Sequence, residues 1–456
     1  MTTNLDTETL NDLRDLASTH FWPHFRAAGD MSSETGVKVV TRAQGVWVED
    51  GEGRRWFDTL SGMWLVNAGH GRREIADAVY QQMLDISYSP GGTVGPATIR
   101  LAAKIASLAP DKESRVYFVS GGSEAVETAV KMAKKYHRNN GEPGRYKVIS
   151  RRGSYHGATH AAMALGGGGV AFPADYGPLM PGNIHVQGPD QYRCVYCRDK
   201  GSCSLECARD IGRAIEYENP TTVTAVIGEP ISVSAGVHVP HPEYWPTVRE
   251  ICDRYGVLMI CDEVITGFGR TGKMFATEHW AVGPDIFTVA KALTSGYLPI
   301  GAAVASRKVA SAFLGDDDKV FRHLITFGGN PASCAAGLAN LVIFEKERLV
   351  ENSAEMGAWL LEGLEGLYKH RLVGQVRGGM GLLCAVELVK DRETRVKFPP
   401  EAGLRQKMEA ALTRHGLLGR GGDMIYLAPP LVVTRSDINH LVAQVDGVLT
   451  ELEGEL

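Results

Sequence analysis

The strongest constraint on the fold is an alternation of helix and strand patterns between about residue 72 and residue 305. The helical segments carry apolar residues along one face, as in the run from Ala125 to Ala133. Short apolar runs between them predict buried strands: Val116–Val119, Lys147–Ser150, Ala225–Glu229, Val257–Asp262, Ile286–Ala290 and Ala302–Ala305. This alternation predicts an α/β fold, in which helices cover both faces of a mostly parallel sheet.

The pattern changes on both sides of this region. Before it, Val37–Phe57 predicts β-hairpins, with Asp50-Gly51 as a turn. After about residue 330, longer helices and short strands predict a smaller α+β unit: Ser333–Lys346, Ser353–Lys369, Gly381–Glu387 and Met424–Ala428. A chain of 456 residues suffices for two or three domains. The predicted boundaries are 1–70 for a segment joining the small domain, 71–325 for the large domain with a cysteine-bearing insert at 190–210, and 326–456 for the small C-terminal domain.

Composition argues against several classes of protein. The formal net charge of −5, without a dense Lys/Arg block, is not typical of a nucleic-acid-binding surface. The sequence has no run of about 18 apolar residues, so we expect no membrane-spanning helix. The first residues are polar and acidic, which is not typical of a signal peptide. We therefore expect a cytoplasmic protein.

Two of the predicted strands end at side chains of opposite charge. One apolar run ends on Asp262, and the run Ile286–Ala290 is followed by Lys291. Ligands of open α/β sheets bind beyond the carboxyl ends of the strands, so both groups are candidates for one site. Pyridoxal phosphate (PLP) needs such a pair, because its aldehyde condenses with a lysine as a Schiff base and its ring nitrogen stays protonated beside a carboxylate. Many chains contain an Asp and a Lys at this spacing, so other sites stay open at this point.

Further motifs at strand ends could hold the rest of such a cofactor. The run from Ser120 to Ser123 opens a helix, where backbone N–H groups and the helix dipole bind phosphate, although an ordinary capped turn is the alternative. It lacks the Lys of a Walker loop and the GxGxxG spacing of a dinucleotide fold. Tyr155 could stack on a flat ring or belong to the core. Glu229 brings a second carboxylate to the same edge of the sheet, or closes a turn.

Together these motifs resemble the class III aminotransferases, which are PLP enzymes of fold type I. The resemblance covers essentially the whole chain and rests on DEVITGFGRTGK, PDIFTVAKALTSGYLPIG and TFGGNP. It implies that Lys291 forms the Schiff base with PLP and that Asp262 pairs with the ring nitrogen. The other cofactor contacts that it implies are Gly121, Gly122, Ser123, Tyr155, Glu229 and Val264.

The segment from His323 to Pro331 lies between the two predicted domains, where its hydroxyl groups could reach a phosphate or form an interdomain turn. In the class III family the threonine of TFGGNP, here Thr326, binds the cofactor phosphate of the neighbouring subunit. We assign the adjacent Phe327 to the same contact. The resemblance therefore implies a homodimer, or a tetramer built from it, with each site shared between subunits.

Two departures from the family pattern narrow the substrate. Relatives that use ornithine or 4-aminobutyrate carry Gln where this chain has Ile265, and Glu where it has Ser234. Arg420 matches the family's mobile arginine, which binds an acceptor carboxylate and moves aside for apolar amines. The pattern is similar to amine–pyruvate (ω-) transaminases and taurine–pyruvate aminotransferases. The side chains expected to wall the substrate pocket are Phe21, Trp64 and Tyr155.

The resemblance thus predicts ping-pong transfer of an amino group from a primary amine to pyruvate or a similar keto acid. The donor could be an ω-amino acid, a simple amine or a taurine-like compound. A PLP-dependent decarboxylase or aminomutase, a taurine-specific enzyme and a cofactor-binding protein without activity are the alternatives. The intact Lys291 and Asp262 argue against the last of these.

Four cysteines lie within fourteen residues of the insert: Cys194, Cys197, Cys203 and Cys207. Four thiols suit tetrahedral zinc, but the middle spacing is short for a zinc ribbon. Reduced thiols and a local disulfide are the alternatives. We assign no metal ligand in the catalytic site.

Overall fold

The structure is a computed structural model that describes residues 7–24, 38–167, 173–197 and 202–456. Its strands are β1 (Val40–Gln44), β2 (Trp47–Asp50), β3 (Arg55–Asp58), β4 (Arg115–Val119), β5 (Lys147–Arg151), β6 (Asn183–Val186), β7 (Val223–Gly228), β8 (Leu258–Asp262), β9 (Ile286–Val289), β10 (Gly301–Ala305), β11 (Val373–Arg377), β12 (Cys384–Leu388), β13 (Leu417–Leu418) and β14 (Met424–Leu427). Its helices are α1 (Thr7–His20), α2 (Ser61–Trp64), α3 (Arg73–Asp85), α4 (Pro96–Leu108), α5 (Gly122–Asn139), α6 (His160–Leu165), α7 (Glu206–Tyr217), α8 (Tyr244–Tyr255), α9 (Arg307–Ser311), α10 (Pro331–Lys346), α11 (Leu349–Glu365), α12 (Leu404–Arg414) and α13 (Arg435–Glu455). Within the described ranges, none of these helices combines the length and the apolar character needed to cross a bilayer.

The central sheet has seven strands in the order β4-β10-β9-β8-β7-β5-β6. Strands β6, β5, β7, β8 and β9 run parallel, whereas β10 is antiparallel to both of its neighbours. The predicted α/β class is confirmed, and the six predicted strands are all present with ends shifted by one or two residues. Strand β6 was not predicted from the sequence, because its run Asn183-Ile184-His185-Val186 is short and half polar.

Both faces of the central sheet are buried, which explains the continuous apolar runs. Side chains alternate between the faces, so Leu258 and Ile260 enter one hydrophobic cluster while Met259 and Cys261 enter the other. The predicted apolar face of α5 lies in the first cluster, and α7 and α8 line the second. Each fully buried large aliphatic side chain contributes about 1.5–3 kcal/mol to folding. Helix α8 ends at Gly256, whose φ of 62° is the left-handed C-cap conformation predicted there.

Two smaller sheets flank this body. The first has the order β1-β2-β3-β13, and the second has the order β11-β12-β14. Strand β13 pairs in parallel with β3, with Leu417 opposite Phe57 and Leu418 opposite Asp58. This pairing joins the N-terminal hairpins to the C-terminal part of the chain, and Arg420 lies two residues beyond Leu418. The domain boundaries given above stay a prediction.

Candidate active site

The carboxyl ends of the central strands open into a cavity of about 160 Å³. Such edges are where open α/β sheets bind ligands. Five elements supply the lining, since β5, β7, β8 and β9 each end at it and α5 begins at it. The lining residues are Gly122, Ser123, Tyr155, His156, Gly157, Glu229, Ile231, Val233, Asp262, Val264, Ile265, Thr266 and Lys291.

Asp262 is the last residue of β8, and only 4% of its surface is exposed. Its carboxylate oxygens lie 2.7 Å from His156 Nδ1 and 3.0 Å from the donating Thr288 hydroxyl. The backbone N–H of Val264 donates to it as well, at 3.1 Å. These contacts offset the cost of burying a charge and fix the orientation of the carboxylate.

His156 is a functional candidate that was not predicted from the sequence, although it follows Tyr155. Its side chain is buried, and its Nε2 has no hydrogen-bond partner in the described structure. Burial disfavours the charged imidazole, yet the hydrogen bond to Asp262 and the charge of Glu229 raise the pKa of His156 above its ordinary value. The Nδ1–H group of His156 therefore donates to Asp262 and supports the negative charge of its carboxylate.

Lys291 lies immediately beyond β9 and lines the same cavity. Its φ of 43° is in the left-handed region, which is strained for a residue other than glycine and is often found at functional sites. Burial lowers the pKa of its amine to about 8, although the charge of Asp262 acts in the opposite direction. The neutral, nucleophilic amine is therefore far more abundant near neutral pH than for an exposed lysine.

The N-terminus of α5 forms a cradle of backbone groups at this cavity. Gly121 is its N-cap, and no side chain caps the helix. A Cβ on Gly121 would meet nothing within 4 Å, so the space beside the first turn is open. A Cβ on Gly157 would lie 2.4 Å from Ser123 Oγ, so only glycine fits there. Uncapped N–H groups at a helix N-terminus are suited to bind an anion such as phosphate.

Glu229 follows β7 and is only 7% exposed. It pairs with the fully buried Arg151 at 2.8 Å and accepts a hydrogen bond from the backbone N–H of Tyr155 at 3.2 Å. The carboxylate thus neutralises a buried cation and holds the chain that carries the Tyr155 ring. Burial raises the pKa of the Tyr155 hydroxyl, with the positive charge of Arg420 acting against it.

Aromatic residues and Arg420 lie near this part of the site. Trp64 is buried, and its ring meets Tyr426 edge-on with centroids 5.8 Å apart. Burial raises the pKa of Tyr426 to about 12, and the charge of Arg420 opposes this shift as it does at Tyr155. The Tyr426 hydroxyl donates to the carbonyl of Ser234 at 3.4 Å. Tyr426 was not singled out from the sequence, because it lies in an ordinary predicted strand.

Six predicted site residues are not among those that line this cavity: Phe21, Trp64, Gly121, Thr326, Phe327 and Arg420. Phe21 follows α1 and is 55% exposed, and Phe327 is 62% exposed. Thr326 is also exposed, and its carbonyl accepts a hydrogen bond from the Tyr88 hydroxyl at 2.9 Å. Thr326 and Phe327 were assigned to the cofactor of a neighbouring subunit, and such residues do not need to line the cavity of their own chain. That reason does not apply to Phe21, and the roles of all the predicted site residues stay predictions.

The cysteines of the insert surround a separate cavity of about 350 Å³, together with His241 and Tyr244. All four are free thiols. Burial, with the other thiols adding to it, raises the pKa of Cys207 to about 12. In the ranges that the structure describes, no group of three or more His, Cys, Asp or Glu residues is arranged to hold a metal ion.

Comparison with known proteins agrees with this arrangement. The class-III aminotransferase family model matches residues 30–449. A taurine–pyruvate aminotransferase of Bilophila wadsworthia is 38% identical over 430 residues, which cover 91% of this chain and 92% of that protein. An (S)-enantioselective ω-transaminase of Thermomicrobium roseum matches over 100% of both chains with a TM-score of 0.91 and 40% identity. An amine transaminase of an uncultivated Pseudomonas species, solved in its PLP-bound form, matches with a TM-score of 0.89 and 37% identity over 94% of this chain and 98% of that one.

These matches extend over nearly the whole chain. Their sequence identities are high enough to indicate a shared family as well as a shared fold. They agree with a strand-end cavity that brings together a carboxylate, a lysine of lowered pKa and an uncapped helix N-terminus. The chain belongs to the class-III aminotransferase family, and it is a PLP-dependent transaminase that moves an amino group from an amine to a keto acid.

Proposed function

We propose that this enzyme transfers the amino group of primary amines, among them ω-amino acids and taurine-like donors, to pyruvate. Lys291 is the lysine that binds the cofactor aldehyde, and Asp262 is the carboxylate that pairs with the ring nitrogen. The observation that supports both roles is that the Lys291 amine and the buried Asp262 carboxylate line one cavity beside the N-terminus of α5. When bound, PLP supplies an aldehyde that reacts with amines and a ring that withdraws electrons from the substrate carbon.

The residues of the cavity fit this cofactor. The open space at Gly121 and the uncapped N–H groups of α5 suit a phosphate, with Gly122 and Ser123 at its edge. Tyr155 and Val264 offer flat and apolar surfaces for the two faces of a ring. These groups are the donor set and the shape that a phosphorylated pyridine requires.

The chain's own groups would handle the protons of the reaction. With a pKa of about 8, the Lys291 amine could accept a proton from the substrate carbon and donate it to the neighbouring carbon of the cofactor. Asp262 keeps a proton on the ring nitrogen, and His156 and Thr288 hold its carboxylate in place for that task. Glu229 acts indirectly, because it fixes the backbone of Tyr155.

The preference for a primary amine and for pyruvate rests on the walls of the cavity. Ile231, Val233 and Ile265 contribute apolar surface, which suits a donor with a small or apolar substituent. The charge of Arg420 acts on the hydroxyls of Tyr155 and Tyr426, and we assign its guanidinium to the carboxylate of a keto acid. We include Trp64, which packs on Tyr426, and Phe21 in the substrate pocket.

We also propose that two copies of the chain form a homodimer with shared sites. The segment that carries Thr326 and Phe327 exposes apolar side chains, including Leu324 at 82% and Phe327 at 62% exposure. Tyr88, which contacts both Thr326 and Phe327, is 46% exposed. Exposed apolar groups that adjoin one another mark surfaces that bind a partner. In the dimer Thr326 would reach the phosphate of the cofactor bound to the other subunit.

A donor panel tests this proposal. The PLP-loaded enzyme is incubated with taurine, β-alanine, a diamine or an aromatic amine, with pyruvate or 2-oxoglutarate as the acceptor. We expect parallel double-reciprocal plots and a preference for pyruvate, while amine without keto acid gives a single turnover. Equal use of 2-oxoglutarate would contradict the acceptor assignment. Continued release of carbon dioxide or of a rearranged amine without keto acid would identify a decarboxylase or an aminomutase.

A further inference from the structure

The segment 321–330, which leads into α10, is anchored to helix α5 by one histidine. His323 Nε2 lies 2.9 Å from the Thr128 hydroxyl, and its Nδ1 lies 2.8 Å from Lys131 Nζ. The imidazole stacks on Tyr117 with ring centroids 5.3 Å apart. The Tyr117 hydroxyl donates to the His323 carbonyl at 2.5 Å, so side chain and backbone are both held.

These contacts fix the protonation of the imidazole. An ammonium group can only donate, so His323 Nδ1 must accept from Lys131 and carries no proton. Nε2 then carries the proton and donates to Thr128. Protonation of Nδ1 would place two cations 2.8 Å apart. The neutral imidazole is therefore the form that both contacts require.

Helix α5 connects this anchor to the cofactor cradle. The helix begins at Gly122 in the cavity, and Thr128 and Lys131 lie further along it. Beyond His323 the segment is held at Thr326, whose carbonyl accepts from Tyr88 at 2.9 Å. Gly328 packs against β4, because a Cβ there would lie 2.4 Å from the Phe118 carbonyl oxygen. One helix thus carries the phosphate cradle of its own chain and fixes the segment proposed to reach the other.

We propose that His323 is a positioning residue whose neutral imidazole, held between Thr128 and Lys131, sets segment 321–330 so that Thr326 contacts the cofactor phosphate of a second subunit. The inference rests on the proposed function, which gives Thr326 that task. It adds a residue that touches neither substrate nor cofactor and a condition under which cofactor binding weakens.

Acidic pH is the condition under which we expect cofactor binding to weaken. Burial and then the charge of Lys131 lower the pKa of His323 below its ordinary value of 6.5, while Glu124 and Glu127 on the same helix oppose the shift. The unfolded or released segment therefore takes up a proton more readily than the anchored one. The anchor is intact above pH 6.5 and is lost as the pH falls below that value towards the lowered pKa. PLP affinity is expected to fall over the same range.

The test measures the PLP dissociation constant of the dialysed apoenzyme by absorbance titration, independently of turnover. His323→Phe keeps a ring for the stack on Tyr117 but removes both nitrogens. At about pH 7.5, where an ordinary histidine is neutral, we expect this variant to bind PLP at least about fivefold more weakly. His323→Gln, which retains a donor and an acceptor, should recover most of the loss. An affinity of His323→Phe within about twofold of wild type would overturn the inference.

Thr326→Val separates this inference from the proposed function. If Thr326→Val leaves PLP affinity unchanged, the shared site of the proposed function fails, whatever His323 does. If Thr326→Val weakens binding and His323→Phe does not, the positioning role alone fails. If both weaken binding and His323 acts through Thr326, the double variant binds no more weakly than Thr326→Val. Additive losses would show an independent structural effect and would overturn the inference.

Lys131→Gln keeps the inference testable if a variant of the partly buried His323 does not fold. Lys131 is exposed, and glutamine can still donate to Nδ1 without a charge. We expect normal PLP affinity at about pH 7.5 and a smaller loss on acidification than in wild type, because protonated His323 no longer meets an ammonium group. Arg138→Gln, which removes an exposed cation elsewhere on α5, is the matched control and should retain the wild-type pH profile. A wild-type profile in Lys131→Gln would overturn the proposed acid response.

Discussion

Two cavities of this enzyme gather side chains that can react, and burial has opposite consequences in them. At the strand ends, burial lowers the pKa of the Lys291 amine to about 8. Around the insert, burial raises the pKa of the Cys207 thiol to about 12. Desolvation favours the neutral form in both places. The neutral amine is the nucleophilic form of lysine, whereas the neutral thiol is the unreactive form of cysteine. Burial therefore makes Lys291 more reactive and Cys207 less reactive.

The two cavities also differ in whether an ionised side chain has hydrogen-bond partners. At the strand ends a buried carboxylate, Asp262, is stabilised by His156, Thr288 and a backbone N–H group. The Cys207 thiol needs no such support, because its raised pKa keeps it uncharged near neutral pH. A chain thus prepares a site for chemistry by supplying partners to the ionised group as well as by burying the nucleophile.

Lys291→Ala is expected to have the largest effect on activity. Removing the amine that we propose accepts and returns the substrate proton should lower kcat by at least about a thousandfold. Steady-state transamination with pyruvate measures the change. A circular dichroism spectrum like that of wild type controls for folding. Transamination near the wild-type rate would contradict the role of Lys291.

Asp262→Asn should lower kcat by about a hundredfold. The amide keeps the shape of the side chain but cannot hold a proton on the ring nitrogen. Its amide oxygen is also a weaker acceptor than a carboxylate for the hydrogen bond from His156. Single-turnover measurements with an amine donor isolate this step from product release. A variant as fast as wild type would show that the carboxylate does not act on the ring.

The pH dependence of cofactor capture follows from the lowered pKa of Lys291. Only the neutral amine attacks an aldehyde, so the rate should fall about tenfold for each pH unit below the pKa of about 8. The rate should level off above that value. Stopped-flow mixing of apoenzyme with PLP measures it. A rate that keeps rising towards the ordinary lysine value of 10.5 would contradict the lowered pKa.

His156→Gln should lower kcat by about tenfold with little change in KM. Glutamine can still donate to Asp262 but cannot take up a proton, so the carboxylate loses a partner whose raised pKa favours the charged form. A merely structural role would reduce thermal stability without altering the pH profile of kcat. An unchanged profile would therefore contradict the positioning role of His156.

Replacing two insert thiols, with Cys194→Ser and Cys197→Ser combined, should change kcat/KM by less than about twofold. The thiols lie around a different cavity from Asp262 and Lys291. The protonated Cys207 should also react slowly with iodoacetamide at neutral pH. A large loss of activity in the double variant would contradict the account in which only the cavity at the strand ends takes part in catalysis.

Much of this fold could be predicted from the sequence, because strands buried on both faces are continuous apolar runs bounded by Gly, Pro and charged residues. The predicted strand ends therefore placed Asp262, Lys291 and Glu229 at one edge of the sheet, and all three line the cavity in the structure. Strand β6 was missed because it is short and partly polar. The antiparallel direction of β10 was not predicted, since an apolar run looks the same in either direction.

The partners of the site residues could not be predicted, because they depend on strand order and register. His156 and Asp262 meet at 2.7 Å although 106 positions separate them in the chain. Thr288 reaches Asp262 because the two are paired in register between β8 and β9. Tyr426 reaches the Ser234 carbonyl from another sheet. No local pattern in the sequence carries such information.

Borohydride reduction of the PLP-loaded enzyme, followed by digestion and peptide mass spectrometry, locates the lysine that holds the cofactor. If the lowered pKa and the place of Lys291 beside Asp262 select it, the pyridoxyl group is fixed on the peptide that contains Lys291, in stoichiometric amount. A pyridoxyl group on any other lysine, or on none, would contradict this assignment.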